Sequence, residues 1–287
     1  MKKGIILTAT LFFLLVLLFT ISSFVLAIKP TDKPGATPAI PATPAQPNPG
    51  TGIPATPALP ATPAIPSSKM SYDYETVNTF NFDGVYSAAY NKNNNHLYLW
   101  SLDSVLVETD TSGNIIGELE ADATSGGLAY NPNKDILYNV NFNDGTITEK
   151  DISTGQTIRI LNPGISANPG GITYDYDEDI IYVVNPNSDR IYKIDSDGNL
   201  ITSFYVHDIL PAMVGIAYNE HDGNLLILDF HKGYIMVMRK DGTPIESFSY
   251  LPFGPGWNAR DIAFNPHNKH MYITDFILNS VTEIAPK

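Results

Sequence analysis

Five segments between Tyr86 and Thr274 share one pattern: a short apolar stretch ending in an aromatic residue, a polar turn, then a second apolar stretch. They read YSAAYNKNNNHLYLW, GGLAYNPNKDILYNV, GGITYDYDEDIIYVV, VGIAYNEHDGNLLIL and RDIAFNPHNKHMYIT. The anchoring aromatics are Tyr90, Tyr130, Tyr174, Tyr218 and Phe264, spaced by 40, 44, 44 and 46 residues. A period of that size, built from strand-like runs with no helical periodicity, predicts a β-propeller with one four-stranded sheet per repeat. Each repeat continues with a third strand, a tight turn and a fourth strand. RIYKIDSDGNLITSFYV shows this best, with Asp197-Gly198 as the hairpin turn. The last repeat stops at SVTEIAPK, one strand short, and YETVNTFNF at 74–82 matches the missing fourth strand. The expected fold is therefore all-β, with five antiparallel blades closed by joining the two ends of the domain; six blades is the alternative.

Ahead of the repeats lie two segments of different character. MKKGIILTATLFFLLVLLFTISSFVLA, residues 1–27, has two lysines followed by an uncharged apolar run. It reads as a signal peptide cut after Ala27 or as a retained membrane anchor. Either way the remainder is delivered outside the cytoplasm, secreted or held at the cell surface, and contact with the membrane persists only if the segment is not cleaved. Residues 28–70 contain ATPA four times and twelve prolines, with almost no large apolar side chain. Such a stretch cannot build a core and favours extended polyproline II, so it reads as a linker or stalk. The domains expected are thus 1–27, 28–70 and a propeller at 71–287.

Charge and cysteine content exclude whole classes of function. The net charge is −13, and from residue 70 onward 12 basic residues face 29 acidic ones. A surface so acidic repels phosphate backbones and excludes nucleic acid as a partner. Cysteine is absent, which removes disulfides, thiolate metal sites and cysteine nucleophiles.

The stretch GIAYNEHDGNLLILDFHKGYIMVMRKDGTPIESF resembles an NHL-type repeat: Gly-φ-Ala-φ, a turn, a strand ending in Asp, a third strand and a DxxG-type turn before a Phe. The wider relatives are the YVTN-type surface propellers and the gluconolactonase or senescence-marker-protein-like group. The resemblance implies a propeller, but such propellers serve binding, hydrolysis, lyase chemistry and scaffolding alike.

The repeat supplies its own control, because a polar residue that recurs in every blade is architectural and a departure is a candidate for function. DYDEDI (175–180) and DSDGN (195–199) resemble calcium loops yet align with ordinary turns elsewhere. His221 falls in the same strand-one/two turn and reads as a solvated turn residue. Asp229 ends strand two, aligned with Ser101, Asn141, Asn185 and Asp275, and reads as a loop cap. Strand two spans ~17 Å, so His221 and Asp222 cannot share a site with Asp229 and His231. The crossovers into the inner strands read Gly126-Gly127, Gly170-Gly171 and Val214-Gly215, but Tyr86-Ser87 and Arg260-Asp261 break the pattern. Arg260 and Asp261 near an axis must pair with each other or bind something.

Two functions follow. The first is a binding or scaffold module that takes a protein, glycan or small-molecule ligand on the channel face. Its candidate residues are Tyr86, His231, Trp257, Asn258, Arg260 and Asp261, and it needs no cofactor. The alternative, implied by the gluconolactonase resemblance, is a hydrolase or lyase with calcium or another divalent cation in the central channel. Asn141, Asn185, Asp229 and Asp275 would then be its weak ligand candidates and His231 its base. The metal-binding Glu of that group has no counterpart in the first blade, and no Gly-x-Ser-x-Gly, His-Glu-x-x-His or phosphate loop occurs. The balance of the sequence favours the binding module over the enzyme.

Overall fold

A computed structural model describes residues 74–121, 124–254, 256 and 258–287. The chain divides into two units, 1–64 and 65–287. The expected leader or anchor at 1–27, the stalk at 28–70 and Trp257 lie outside the described residues. Among those described, no helix is long and apolar enough to cross a membrane.

Among the described residues, twenty strands form five four-stranded antiparallel sheets. Blade 1 is β2 (Val85–Asn91), β3 (His96–Ser101), β4 (Leu106–Asp110) and β5 (Ile115–Leu119). Blade 2 is β6 (Gly127–Asn131), β7 (Ile136–Val140), β8 (Ile147–Asp151) and β9 (Thr157–Leu161). Blade 3 is β10 (Ile172–Asp175), β11 (Ile180–Asn185), β12 (Arg190–Asp195) and β13 (Leu200–Tyr205). Blade 4 is β14 (Met213–Asn219), β15 (Asn224–Asp229), β16 (Tyr234–Met238) and β17 (Pro244–Ser249). Blade 5 combines β18 (Ala259–Asn265), β19 (His270–Asp275) and β20 (Ser280–Pro286) with β1 (Tyr74–Asn81) as its outer strand. The chain is a five-bladed β-propeller. Its closure is the expected one: β1 runs antiparallel to β20 from Tyr74↔Pro286 to Asn81↔Ser280, so the first described strand covers the edge that the last would expose.

The continuous apolar run of β15, LLIL, follows from burial on both faces. Leu225 and Ile227 pack with Tyr182, Val184 and Ile191 of blade 3. Their alternates Leu226 and Leu228 pack with Ile262 and Ile273 of blade 5. Side chains alternate across a strand, so every middle strand of a propeller feeds two inter-blade cores. The outer strands have water on one side and leave Ile115, Ile160 and Ile201 exposed. In the third-to-fourth-strand turn of blade 3, Gly198 sits at φ +89°, and a Cβ there would lie 2.8 Å from Leu161 of blade 2. Only glycine satisfies both demands.

The turns between first and second strands form a closed belt. Each begins with a buried or half-buried Asn or Asp whose Oδ1 accepts the N–H two residues on: Asn91, Asn131, Asp175, Asn219 and Asn265. The residue so held then reaches the next blade. Asn93 Nδ2 donates to Tyr130 Oη at 2.6 Å and Asn133 Nδ2 to Tyr176 O at 3.2 Å. Asp177 accepts from Tyr218 Oη at 2.6 Å. His221 Nε2 donates to Pro266 O and His267 Nε2 to Lys92 O, each at 2.7 Å. His221 is exposed, as its turn position suggested, yet it is also the stitch from blade 4 to blade 5. DYDEDI and DSDGN are turns as well: Asp195 Oδ1 accepts the N–H of Asp197 at 3.0 Å and of Asn199 at 2.8 Å.

This belt yields a test of the repeat logic. His221→Ala removes one stitch and should cost about 0.5–1.5 kcal/mol, read from urea unfolding. His221→Asn, which restores the residue type of blades 1 and 2, should recover most of that loss. Equal stability of the alanine variant and the parent would show that the stitch adds nothing.

Candidate functional site

The five inner strands converge most tightly at Ser87, Gly127, Gly171, Gly215 and Asp261. A Cβ on Gly127 would lie 2.7 Å from Gly171 Cα, one on Gly171 2.8 Å from Ile216 N, and one on Gly215 2.7 Å from Asp261 Cα. Backbones that close leave room for little more than the small buried side chain of Ser87 and the carboxyl of Asp261. Its Oδ2 accepts the N–H of Ala88 at 3.2 Å and its Oδ1 that of Ile262 at 2.9 Å. The Ile216 N–H also stabilises the carboxylate. Three blades therefore direct N–H groups at a single carboxyl that is 1% exposed. Burial pushes its pKa well above the ordinary Asp value, against the lowering effect of the three N–H groups. The Asp261 N–H donates to Thr274 Oγ1, which donates in turn to the Tyr86 carbonyl, both at 3.0 Å. Pairing of Asp261 with Arg260, one of the two outcomes expected, does not occur: backbone donors occupy the carboxylate.

On the side of the crossovers, Arg260 stands where the middle blades have Gly126, Gly170 and Val214. Its guanidinium carbon lies 5.9 Å from the Tyr86 ring centre and 5.4 Å from that of Phe230. Cation–π attraction holds the fork between the two rings. Arg260 Nε is shut off from solvent and has no hydrogen-bond partner among the described residues. Beside it the fully buried Tyr250 hydroxyl also lacks a partner, and burial, with the charges of Asp229 and Asp275, raises its pKa. Tyr86 meets Trp100 edge-on at 6.0 Å, and its hydroxyl pKa is raised by burial, partly offset by Arg260. His231 is exposed and touches this group only through Phe230, ring centres 4.5 Å apart. Asn258 accepts the Phe276 N–H on its carbonyl at 3.4 Å. Of the expected residues, Tyr86 and Arg260 meet directly, His231 and Asn258 sit around them, and Asp261 turns inward to the axis. Phe230 was not singled out, because Phe142 and Phe276 align with it and made it look architectural.

The ring that ends the second strands serves the loops. Asn141 Oδ1 accepts from Asn143 N at 2.8 Å, and Asn185 Oδ1 from Asn187 N at 3.0 Å. Asp229 holds the N–H of Lys232 at 2.9 Å and of Ala212 at 3.1 Å. Asp275 holds those of Ile277 at 3.0 Å, Leu278 at 2.9 Å and Gly256 at 2.6 Å. Among the described residues, no group of three or more His, Asp or Glu side chains converges as a metal site would require.

Toward the first-turn end of the inner strands lies a cavity of about 60 Å³, walled by alanine, leucine and isoleucine side chains together with Tyr90, Tyr130, Tyr174, Tyr218 and Phe264. Its mouth is ringed by Lys92, Pro132, Tyr176, Glu220 and Pro266, one from each first turn. Nothing in the sequence reading had marked these five. Their column holds Lys, Pro, Tyr, Glu and Pro, and other turn positions vary as well, so the sequence alone does not set it apart.

No known family matches the sequence, and no curated protein does either. Solved structures show the fold. The glutaminyl cyclase of Myxococcus xanthus superposes over 74% of this chain and 95% of its own, with a TM-score of 0.60 at 12% identity. The Cps50 (Swd1) β-propeller domain of Myceliophteria thermophila aligns over 75% of this chain and 100% of its own, with a TM-score of 0.51 at 9% identity. A nidogen–laminin complex aligns more loosely, with a TM-score of 0.48 at 12% identity over 71% of this chain and 80% of that one. At such identities the first two likenesses establish the β-propeller architecture and carry no activity.

Asp261 has a measurable signature. Its folded pKa lies above the unfolded value, so the native state keeps a proton that the unfolded chain releases. The carboxyl therefore adds stability below the ordinary Asp range and withdraws it as pH rises through the folded value. Relative to Asp261→Asn, the parent should lose stability as pH rises above the ordinary Asp range, followed by urea unfolding. A pH-independent difference would mean that Asp261 does not titrate as its burial requires.

Proposed function

We propose that the chain is an exported binding propeller of NHL-like type. Its channel face docks a protein partner through Arg260, seated between Tyr86 and Phe230. The observation that carries this reading is the guanidinium itself: one blade places an arginine where blades 2 and 3 have glycine and holds its fork beside the rings of Tyr86 and Phe230. A partner carbonyl or carboxylate would meet the fork, and the rings would cover apolar surface around it. Arginine and aromatic residues in such desolvated settings supply most of the energy at protein interfaces. Export rests on the apolar run at 1–27, and presentation away from the envelope on the proline-rich stretch that follows.

The divalent-cation hydrolase or lyase has no specific observation in its favour. Asn141, Asn185, Asp229 and Asp275 each hold their own loop, so a common ion would have to loosen four caps. The likeness to a glutaminyl cyclase is one of fold and brings no substrate to this chain.

Capture of a partner from a cell-surface extract tests the reading. Arg260→Ala should weaken capture about 10- to 100-fold, as expected for a lost charge-assisted hydrogen bond in a desolvated setting. Arg260→Lys should recover little of it, because a point charge cannot replace the fork. Undiminished capture by a folded Arg260→Ala protein would reject this face.

A further inference from the structure

The cavity at the other end of the axis, which has no part in the proposal above, combines three features. Its walls combine alanine, leucine and isoleucine side chains with the rings of Tyr90, Tyr130, Tyr174, Tyr218 and Phe264, and Thr173 Oγ1 accepts the Tyr218 N–H at 2.9 Å. Its mouth carries a carboxylate and an aromatic ring. And a cation from the chain itself is held by both. Lys92 Nζ lies 2.8 Å from Glu220 Oε2 and 3.7 Å from the centre of the Tyr176 ring. Lys92 and Glu220 come from blades 1 and 4, which are not neighbours in the ring, so their ion pair crosses the opening.

The repeat shows which of these residues the architecture requires. In every first turn the first position is an Asn or Asp that holds the loop, and the third reaches the next blade. The second position, 92, 132, 176, 220 and 266, does neither through its side chain. It is free to vary, and it holds Lys, Pro, Tyr, Glu and Pro. A carboxylate beside an aromatic face is the combination that recognises ammonium groups. Tyr176 adds a buried hydroxyl with no hydrogen-bond partner, and its ring is braced edge-on by Tyr218 at 5.7 Å.

We infer that this end of the axis is a binding site for small organic cations, an ammonium or methylated ammonium on a short alkyl chain, held shut by Lys92 as a built-in occupant. Exchange is what selects a cation. When Lys92 swings out on its flexible stem, Glu220 is left half-buried beside an apolar cavity, a cost that only an incoming positive charge offsets. The released ammonium regains its hydration, and the alkyl chain of the ligand fills the space between the inner strands. A neutral or anionic molecule of the same size would leave the carboxylate unpaired. The acidic surface of the domain, 12 basic against 29 acidic residues from residue 70 onward, raises the local concentration of cations.

The test is titration of the full-length protein with n-butylammonium and butyltrimethylammonium, followed by calorimetry and by ligand-observed NMR. Butyrate and butanol serve as size-matched controls. Removing the occupant with Lys92→Ala should tighten butylammonium binding by about tenfold or more. Lys92→Met, which keeps the stem without the charge, should also bind more tightly than the parent and stands in if the alanine variant does not fold. Adding Tyr176→Ala or Glu220→Gln to the opened variant should return affinity to the parental level or below. The proposal is overturned if neither Lys92 variant gains affinity, if the gain survives loss of both Tyr176 and Glu220, or if butyrate binds as well as butylammonium. In those cases the ion pair is a strap between two turns and nothing more.

Discussion

Everything in this propeller is arranged around the meeting of three glycines and one carboxylate on its axis. Five sheets can share a centre only if their inner strands approach more closely than side chains allow, and Gly127, Gly171 and Gly215 provide that approach. The crowding also leaves backbone N–H groups pointing into a space without water. Asp261 resolves this by accepting from Ala88, Ile262 and Ile216 at once. The cost is a buried carboxyl that resists ionisation, and it is spread over three blades that would otherwise have unpaired donors. A single residue thus completes the hydrogen bonding of the centre and fixes how near the blades can come.

The molecule has two faces with different chemistry. Asp261 lies near the crossover end of β18, and the first turn lies at the other end of the same strand. On the crossover side the opening is shaped by loops, whose lengths differ from blade to blade. There Arg260 finds two rings. On the turn side the opening is shaped by short turns of nearly constant length, stitched to one another in a ring. At the second position of each turn, Lys92, Pro132, Tyr176, Glu220 and Pro266 ring a small opening.

Much of this was legible in the sequence because a repeat exposes its own rules. The period near forty-four, the missing fourth strand at SVTEIAPK and its match in YETVNTFNF are one-dimensional signals, and the closure Tyr74↔Pro286 follows them. Asp229 read correctly as a cap because a cap is a local hydrogen bond, made within a few residues of its own strand. The stitch made by His221 was not legible, since its acceptor, Pro266 O, is forty-five residues away and is brought near only by the ring. For the same reason Asp261 looked like a partner for its sequence neighbour Arg260, when two of its three partners, the N–H groups of Ala88 and Ile216, lie on other blades. Phe230 was concealed by resemblance: aromatic residues stand at the same place in two other blades, yet only this one faces an arginine.

The aromatic column shows how far compensation between blades can be followed. Tyr90, Tyr130 and Tyr174 donate their hydroxyls to Asn95, Asp135 and Asp179, five residues on in each blade. In blade 4 the fifth residue is Gly223, which has no side chain, and Tyr218 turns instead to Asp177 of blade 3. In blade 5 it is Lys269, which can only donate, and the aromatic there is Phe264, with no hydroxyl to satisfy. Each departure from the repeat is thus matched by a second that restores the hydrogen-bond balance. Lys92, Glu220 and Tyr176 differ in kind from these pairs. They satisfy one another across the mouth, but they relieve no defect of the blades they come from, since proline serves equally well at the same position in blades 2 and 5. Residues that mend nothing in the architecture, yet converge on one opening with complementary charge, are the ones whose presence calls for a ligand.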